Sequence, residues 1–294
     1  MKLGLGTVQF GFDYGVANFD GRVTESEAHK ILVLAADNGM EVIDTAAAYG
    51  ESEAVLGRCL PRSSNFRIVT KTCPMRECND RAEGSRWVLK GFGRSLENLL
   101  VDRVDALLVH HISDLLGPGG CEIVDTLVDL KRSGRVSKIG FSAYGAADID
   151  AAMAIHDFDL VQLPLNVFDQ RLIAGGQLSR LKNQGLEVHV RSVFLQGLLL
   201  MDLPSVPDYF APITPKIKAW HRALAEQGLT LLEGAFAFVR TLDVDVVLIG
   251  VDSASQLLAN QKAFAVGSEC NLDFTNFAVN DEAFINPSRW RLSK

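Results

Sequence analysis

The chain has 294 residues, 48% of them apolar and 22% charged, the balance of a soluble enzyme with a well-filled core. A formal net charge of -7 without a basic stripe argues against nucleic acid or an anionic membrane surface as partner, and no apolar run approaches the roughly 18 residues that a membrane helix needs. The start MKLGLGTVQF lacks a signal-peptide apolar stretch, and Cys59, Cys73, Cys78, Cys121 and Cys270 form no CxxC pair, so a reducing cytoplasm is expected and neither disulfides nor a zinc site are.

Short apolar, β-branched runs at 3–8, 41–46, 67–72, 104–111, 138–143, 160–165, 187–193 and 245–251 predict strands. Each is continuously apolar, the pattern of parallel strands covered on both faces. Segments of helical periodicity separate them. The segment 24–39 opens on Thr24 with Glu27 three residues later, a capping-box pattern, and closes on Gly39. The segment 121–134 ends in basic residues followed by Gly134. Two more helices are expected at 146–157 and 253–264, the last capped by Ser253 or Ser255.

Eight strands alternating with helices predict a (β/α)8 TIM barrel, and no linker, repeat or low-complexity tract divides it. The reading is a single domain over 1–294. A Rossmann turn is missing, because Gly4-Leu5-Gly6-Thr7 is too short for GxGxxG. The stretch 195–217, with Pro204, Pro207, Pro212 and Pro215, reads as a long loop at the barrel mouth, either functional or simply irregular.

Catalytic groups of such barrels project from the C-terminal ends of strands. Those ends carry Asp44, Lys71 and His110, with Tyr49 in the loop IDTAAAYG. Singly, each has an ordinary explanation: a capping aspartate, a core histidine, a tyrosine packed on the rim. Together they would meet at one mouth.

The motifs GLGTVQFG (4–11), IDTAAAYGESEAVLG (43–57), TK (70–71), DALLVHH (105–111), GRVSKIGFSAY (134–144) and VLIGVDSASQLLANQKAF (247–264) run in order along nearly the whole chain. In them the sequence resembles the aldo-keto reductase superfamily, and in its LGTVQFG start the short bacterial members. The resemblance implies hydride transfer between a nicotinamide coenzyme and the carbonyl of an aldehyde, ketone or sugar. Tyr49 matches the proton donor and Lys71 the amine that favours its phenolate. Asp44 matches the carboxylate that holds the lysine, and His110 the histidine that bonds the carbonyl oxygen. Strand parity would send the two rings of His110 and His111 to opposite faces, so one faces the mouth; the resemblance implies His110, since the family's histidine lies five residues after the strand aspartate, the spacing from Asp105. By the same parity the pair is not expected to bind a metal.

For the coenzyme, the resemblance implies Gly6 and Thr7 beside the nicotinamide, Ser142 and Gln162 on its carboxamide, and Ser192 with the LQGLLL segment over the pyrophosphate. Gly250, Ser253, Gln256 and Asn260 match the loop and helix N-terminus at the adenosine phosphate end, where free N–H groups favour anions. Two positions depart from the pattern. Ala143 stands where the family commonly has asparagine, and the adenosine segment carries Asp252 and Gln256 where basic residues are usual. NADP(H) is the expectation from the family and NAD(H) the alternative. The N-terminal hairpin of many members is expected to be reduced, and the aromatic tail 268–294 either lines the substrate pocket or packs on the barrel exterior. Two other functions keep the same fold: a nicotinamide-binding sensor with little turnover, and a lyase or epimerase.

Overall fold

The computed structural model describes residues 1–18, 20–61, 64–75, 81–266 and 270–292, which leaves Cys78 and tail residues 268–269 and 293–294 outside the description. Eight parallel strands close into a barrel in sequence order: β1 (Lys2–Gly6), β2 (Val42–Asp44), β3 (Arg67–Lys71), β4 (Val104–Val109), β5 (Val136–Ser142), β6 (Leu160–Pro164), β7 (Glu187–Arg191) and β8 (Val246–Gly250). Every predicted strand is present. Helices lie between them and cover the outer faces, which is why the strands are apolar throughout rather than alternating.

Inside the ring, Val42, Val69, Ala106, Leu108, Leu160, Val246 and Leu248 pack as a separate apolar plug. Beneath it the barrel floor is ionic. Glu187 of β7 accepts from Arg67 of β3 at 3.2 Å and from His189 at 2.9 Å, and it also pairs with Lys138 of β5. Asp105 of β4 completes the layer, 3.7 Å from Lys138. The hydrogen bond from His189 is the main influence holding the Glu187 carboxyl below its ordinary range.

The helix over Glu25–Asp37 begins where predicted, but the capping box is only half formed. Thr24 accepts from the Glu27 N–H, while Glu27 turns away and accepts from the Ala254 N–H at 2.9 Å. The helix over Ala254–Val266 is capped by Ser253, whose hydroxyl accepts from the Gln256 N–H. The stretch after β7 is a chain of short 3-10 turns, Leu195–Leu200, Leu203–Ser205 and Asp208–Ile213, rather than an open loop. Its later part packs against the tail: Tyr209 donates to the Ala283 carbonyl, and Phe210 meets Trp290 edge to face. Phe274 and Phe277 pack on Trp220. The described tail therefore covers the barrel exterior. Among the described residues no helix is long and apolar enough to cross a membrane.

The narrow interior demands small residues at set points. A Cβ on Gly140 of β5 would overlap the Leu160 carbonyl oxygen of the neighbouring strand, which a closed ring cannot move aside. Gly140→Ala is expected to cost about 1–3 kcal/mol, read as a lowered thermal midpoint; an unchanged midpoint would show that the ring can expand there.

Candidate active site

The strand register brings Gly6 of β1 beside Asp44 of β2 on one side and Gly250 of β8 on the other. Asp44 and Lys71 end adjacent strands, so their side chains share the top layer of the barrel. Lys71 is buried, and its Nζ donates to both Asp44 carboxylate oxygens and to the Thr45 carbonyl, each at 2.8 Å. Burial pulls the Lys71 ammonium below the ordinary lysine range, and the Asp44 charge opposes that pull. Gln162 of β6 donates to Asp44 at 2.7 Å. The carboxylate of β2 is thus held from two other strands, β3 and β6.

Tyr49 lies over this pair, its hydroxyl 3.5 Å from Lys71 Nζ and its ring centroid 4.9 Å from the same atom. The loop that carries it is tightly seated. A Cβ on Gly11 would overlap the Tyr49 carbonyl oxygen, and Gly50 adopts φ 56° directly after the tyrosine. Below the loop, Ser52 donates to the Thr7 carbonyl at 2.8 Å, and Thr7 donates to the Asp44 carbonyl at 2.9 Å. These buried hydroxyls tie the ends of β1 and β2 to the helix over Ser52–Cys59. Tyr49 is a neutral phenol here: burial first, and the Asp44 charge second, raise its pKa above the ordinary tyrosine value.

His110 follows β4 and meets the Tyr49 ring edge to face at 5.8 Å. Its imidazole is pushed down to about 2, by burial first and then by the charges of Lys71, His111 and Arg191. A neutral imidazole can still donate one hydrogen bond, which suits it to hold a carbonyl oxygen. The parity argument for the histidine pair is corrected: the rings of His110 and His111 stack in parallel at 4.7 Å. Both residues lie beyond the last residue of β4, so the strand alternation no longer applies to them. Among the described residues no group of three or more potential ligands could hold a metal.

A cavity of about 490 Å³ opens over this layer. Every predicted site residue lines it except Lys71, Gln162 and Ser253. Lys71 and Gln162 lie beneath its floor around Asp44, and Ser253 is occupied as a helix cap. Gln162 keeps its Oε1 without a partner among the described residues, and so does Asn260 with its Oδ1. The helix N-terminus expected to receive phosphate is already engaged: Glu27 takes the Ala254 N–H and Ser253 takes that of Gln256. Asp252 also lines the cavity, with its carboxylate accepting from Asn18 at 3.1 Å.

Sequence reasoning missed several lining residues. Arg191 closes β7 and lies over the Tyr144 ring at 4.2 Å while donating to the Ala143 carbonyl at 3.2 Å. A charged residue ending an apolar strand was the available signal. Tyr14 accepts from Gln196 at 3.2 Å, and its hydroxyl is pushed up to about 12, chiefly by burial. The Val16 N–H donates to the Gln196 carbonyl, so the loops after β1 and β7 meet over the cavity.

The model of the aldo/keto reductase family matches residues 2–270. The chain belongs to that family. Among curated relatives, it is 25% identical over 178 residues to an aldo-keto reductase of Bacillus subtilis, with 58% of this chain and 52% of the relative covered. It is 26% identical over 220 residues to the NADH-specific methylglyoxal reductase of Escherichia coli, with 67% and 65% covered. The chain thus spans about half to two thirds of the length of these relatives. Among solved structures, an aldo-keto reductase of Bacillus halodurans in its holo form aligns with a TM-score of 0.74 at 19% identity, covering 98% of this chain and 95% of that one. The glycerol dehydrogenase of Gluconobacter oxydans aligns with a TM-score of 0.71 at 20% identity, with 97% and 92% covered. At these identities the structural likeness speaks for the fold alone.

The depressed His110 pKa gives a direct expectation: the imidazole stays neutral at every pH from 5 to 8. In histidine NMR spectra, the signal removed by His110→Gln should not titrate in that window; a midpoint near 6.5 would contradict the site's electrostatics.

Proposed function

We propose that this chain reduces the carbonyl of a small aldehyde, ketone or sugar with a reduced nicotinamide dinucleotide, Tyr49 supplying the proton. The observation that carries this reading is the chain from Asp44 to Lys71 to Tyr49, with His110 beside it in one cavity. When bound, the coenzyme supplies the hydride to the carbonyl carbon. His110 and Tyr49 bond the carbonyl oxygen and place it. The Tyr49 proton passes to that oxygen, and Lys71 faces the phenolate left behind at the hydroxyl position. Asp44 keeps the ammonium charged and fixed, since a buried lysine without a partner tends to lose its proton. A neutral phenol is the correct starting form for a donor, and Lys71 eases the transfer by stabilising the phenolate. Reprotonation from solvent resets Tyr49.

The residues fit a dinucleotide. Ser142 at the cavity wall and the free Gln162 Oε1 behind it suit a carboxamide, and the unpartnered Asn260 Oδ1 suits a donor at the adenosine end. The family expectation of NADP(H) is less well supported than NADH. The Asp252 carboxylate lines the adenosine end, Glu27 occupies the helix N-terminus, and Arg191 is the single Lys or Arg among the described lining residues. A 2′-phosphate would meet negative charge there. The Escherichia coli relative is named for NADH specificity, in keeping with this. The four described free cysteines suit a reducing cytoplasm.

Two outcomes are expected. Tyr49→Phe should lower kcat by about 10²–10⁴-fold and leave the NADH dissociation constant within about threefold; wild-type turnover would overturn the assignment. Calorimetric titration should find NADPH bound at least about tenfold more weakly than NADH, and equal or tighter NADPH binding would remove the NADH preference.

A further inference from the structure

Arg191 is a cation in the barrel mouth that no part of the proton-transfer chain uses. Its guanidinium spans from β7 to the end of β5, fixed by the Ala143 carbonyl and the face of Tyr144. Among the described residues, no carboxylate pairs with it. The other charges of the mouth, Asp44 and Lys71, neutralise each other in a buried pair. Asp252 is engaged by Asn18 toward the adenosine end. The layer around Tyr49 and His110 therefore carries one uncompensated positive charge. That charge is felt across the whole layer, since it bears on Tyr14, Tyr49, Lys71 and His110 alike.

We infer that Arg191 makes the site select the oxidation state of its coenzyme, holding neutral-ring NADH in preference to NAD⁺ with its cationic pyridinium. This rests on the proposed coenzyme reading. Hydride transfer needs the nicotinamide carbon about 3–3.5 Å from a carbonyl carbon held by Tyr49 and His110. The ring must therefore lie in the same layer as the guanidinium. Ser142, next to the Ala143 carbonyl that anchors Arg191, is the residue assigned to the ring's carboxamide. Two unit charges within one layer of the mouth repel appreciably even at the effective dielectric of a protein surface. The two coenzymes otherwise present the same phosphates, riboses and adenine, so the ring charge is the difference on which the site can discriminate. The consequence is directional. The site loads NADH from a pool rich in NAD⁺, and it releases NAD⁺ readily once the hydride has left, so product inhibition by NAD⁺ is weak.

The test is calorimetric titration of the full chain with NADH and with NAD⁺, repeated on Arg191→Met, Arg191→Gln and Arg191→Lys. Wild type should bind NADH at least about tenfold more tightly than NAD⁺. Arg191→Met and Arg191→Gln should shrink that ratio about fivefold or more through tighter NAD⁺ binding, and Arg191→Lys should keep it. Arg191→Gln retains a donor for the Ala143 carbonyl, so it serves if Arg191→Met does not fold. An unchanged ratio in the neutral variants, or a wild type that binds both forms equally, overturns the inference while leaving the reductase reading in place. Binding of neither coenzyme to the wild type overturns both.

Discussion

The site depends on the ion pair between Asp44 and Lys71, buried where β2 and β3 end. Taking both charges out of water is costly, and removing one partner of such a pair typically costs about 3–5 kcal/mol. The barrel offsets that cost by giving both groups further hydrogen bonds. Lys71 reaches the Thr45 carbonyl, and Asp44 accepts from Gln162. The closed ring makes this possible. It aims the last side chains of consecutive strands at one point, and the hydroxyls of Thr7, Thr45 and Ser52 lock the strand ends to the following helix.

From that pair the electrostatics of the mouth follow. Burial first, and then the Asp44 charge, leave Tyr49 as a neutral phenol with a raised pKa. Burial first, and then the charges of Lys71, His111 and Arg191, keep His110 uncharged. Two groups that are protonated or neutral across the working range are what a carbonyl oxygen needs: one proton to receive and one donor to orient it. At the other end of the cavity Asp252 brings a carboxylate that accepts from Asn18. The cavity thus carries Arg191 beside Tyr49 and His110 and the Asp252 carboxylate toward its other end.

Much of this was legible in the sequence for a simple reason. A parallel barrel writes its strands as continuous apolar runs, and a polar residue that interrupts the end of a run must face the mouth. Asp44 and Lys71 were found by that rule, whereas Ser142 came only from the family resemblance. Residues that follow a strand escape it, which is why parity misjudged His110 and His111. Contacts between distant segments left no local trace. Glu27 reads as a capping partner of Thr24, yet its carboxylate serves a helix that begins at Ala254. Gln162 reads as a coenzyme ligand, and half of it is committed to Asp44. Arg191 could have been noticed as the charge that ends EVHVR, but that no carboxylate among the described residues pairs with it is visible only once the strands are assembled.

If Asp44 and Lys71 act as one unit on Tyr49, their removal must be strongly non-additive. The most direct measurement is a double-mutant cycle on kcat/KM for NADH-dependent reduction of a small carbonyl substrate, using Asp44→Asn, Lys71→Met and the double variant, each verified as folded by its thermal midpoint. Each single change should lower kcat/KM by about 10²-fold or more, and the double variant should be no slower than the worse single one. Losses that multiply in the double variant would show the two residues working independently, and would contradict the account.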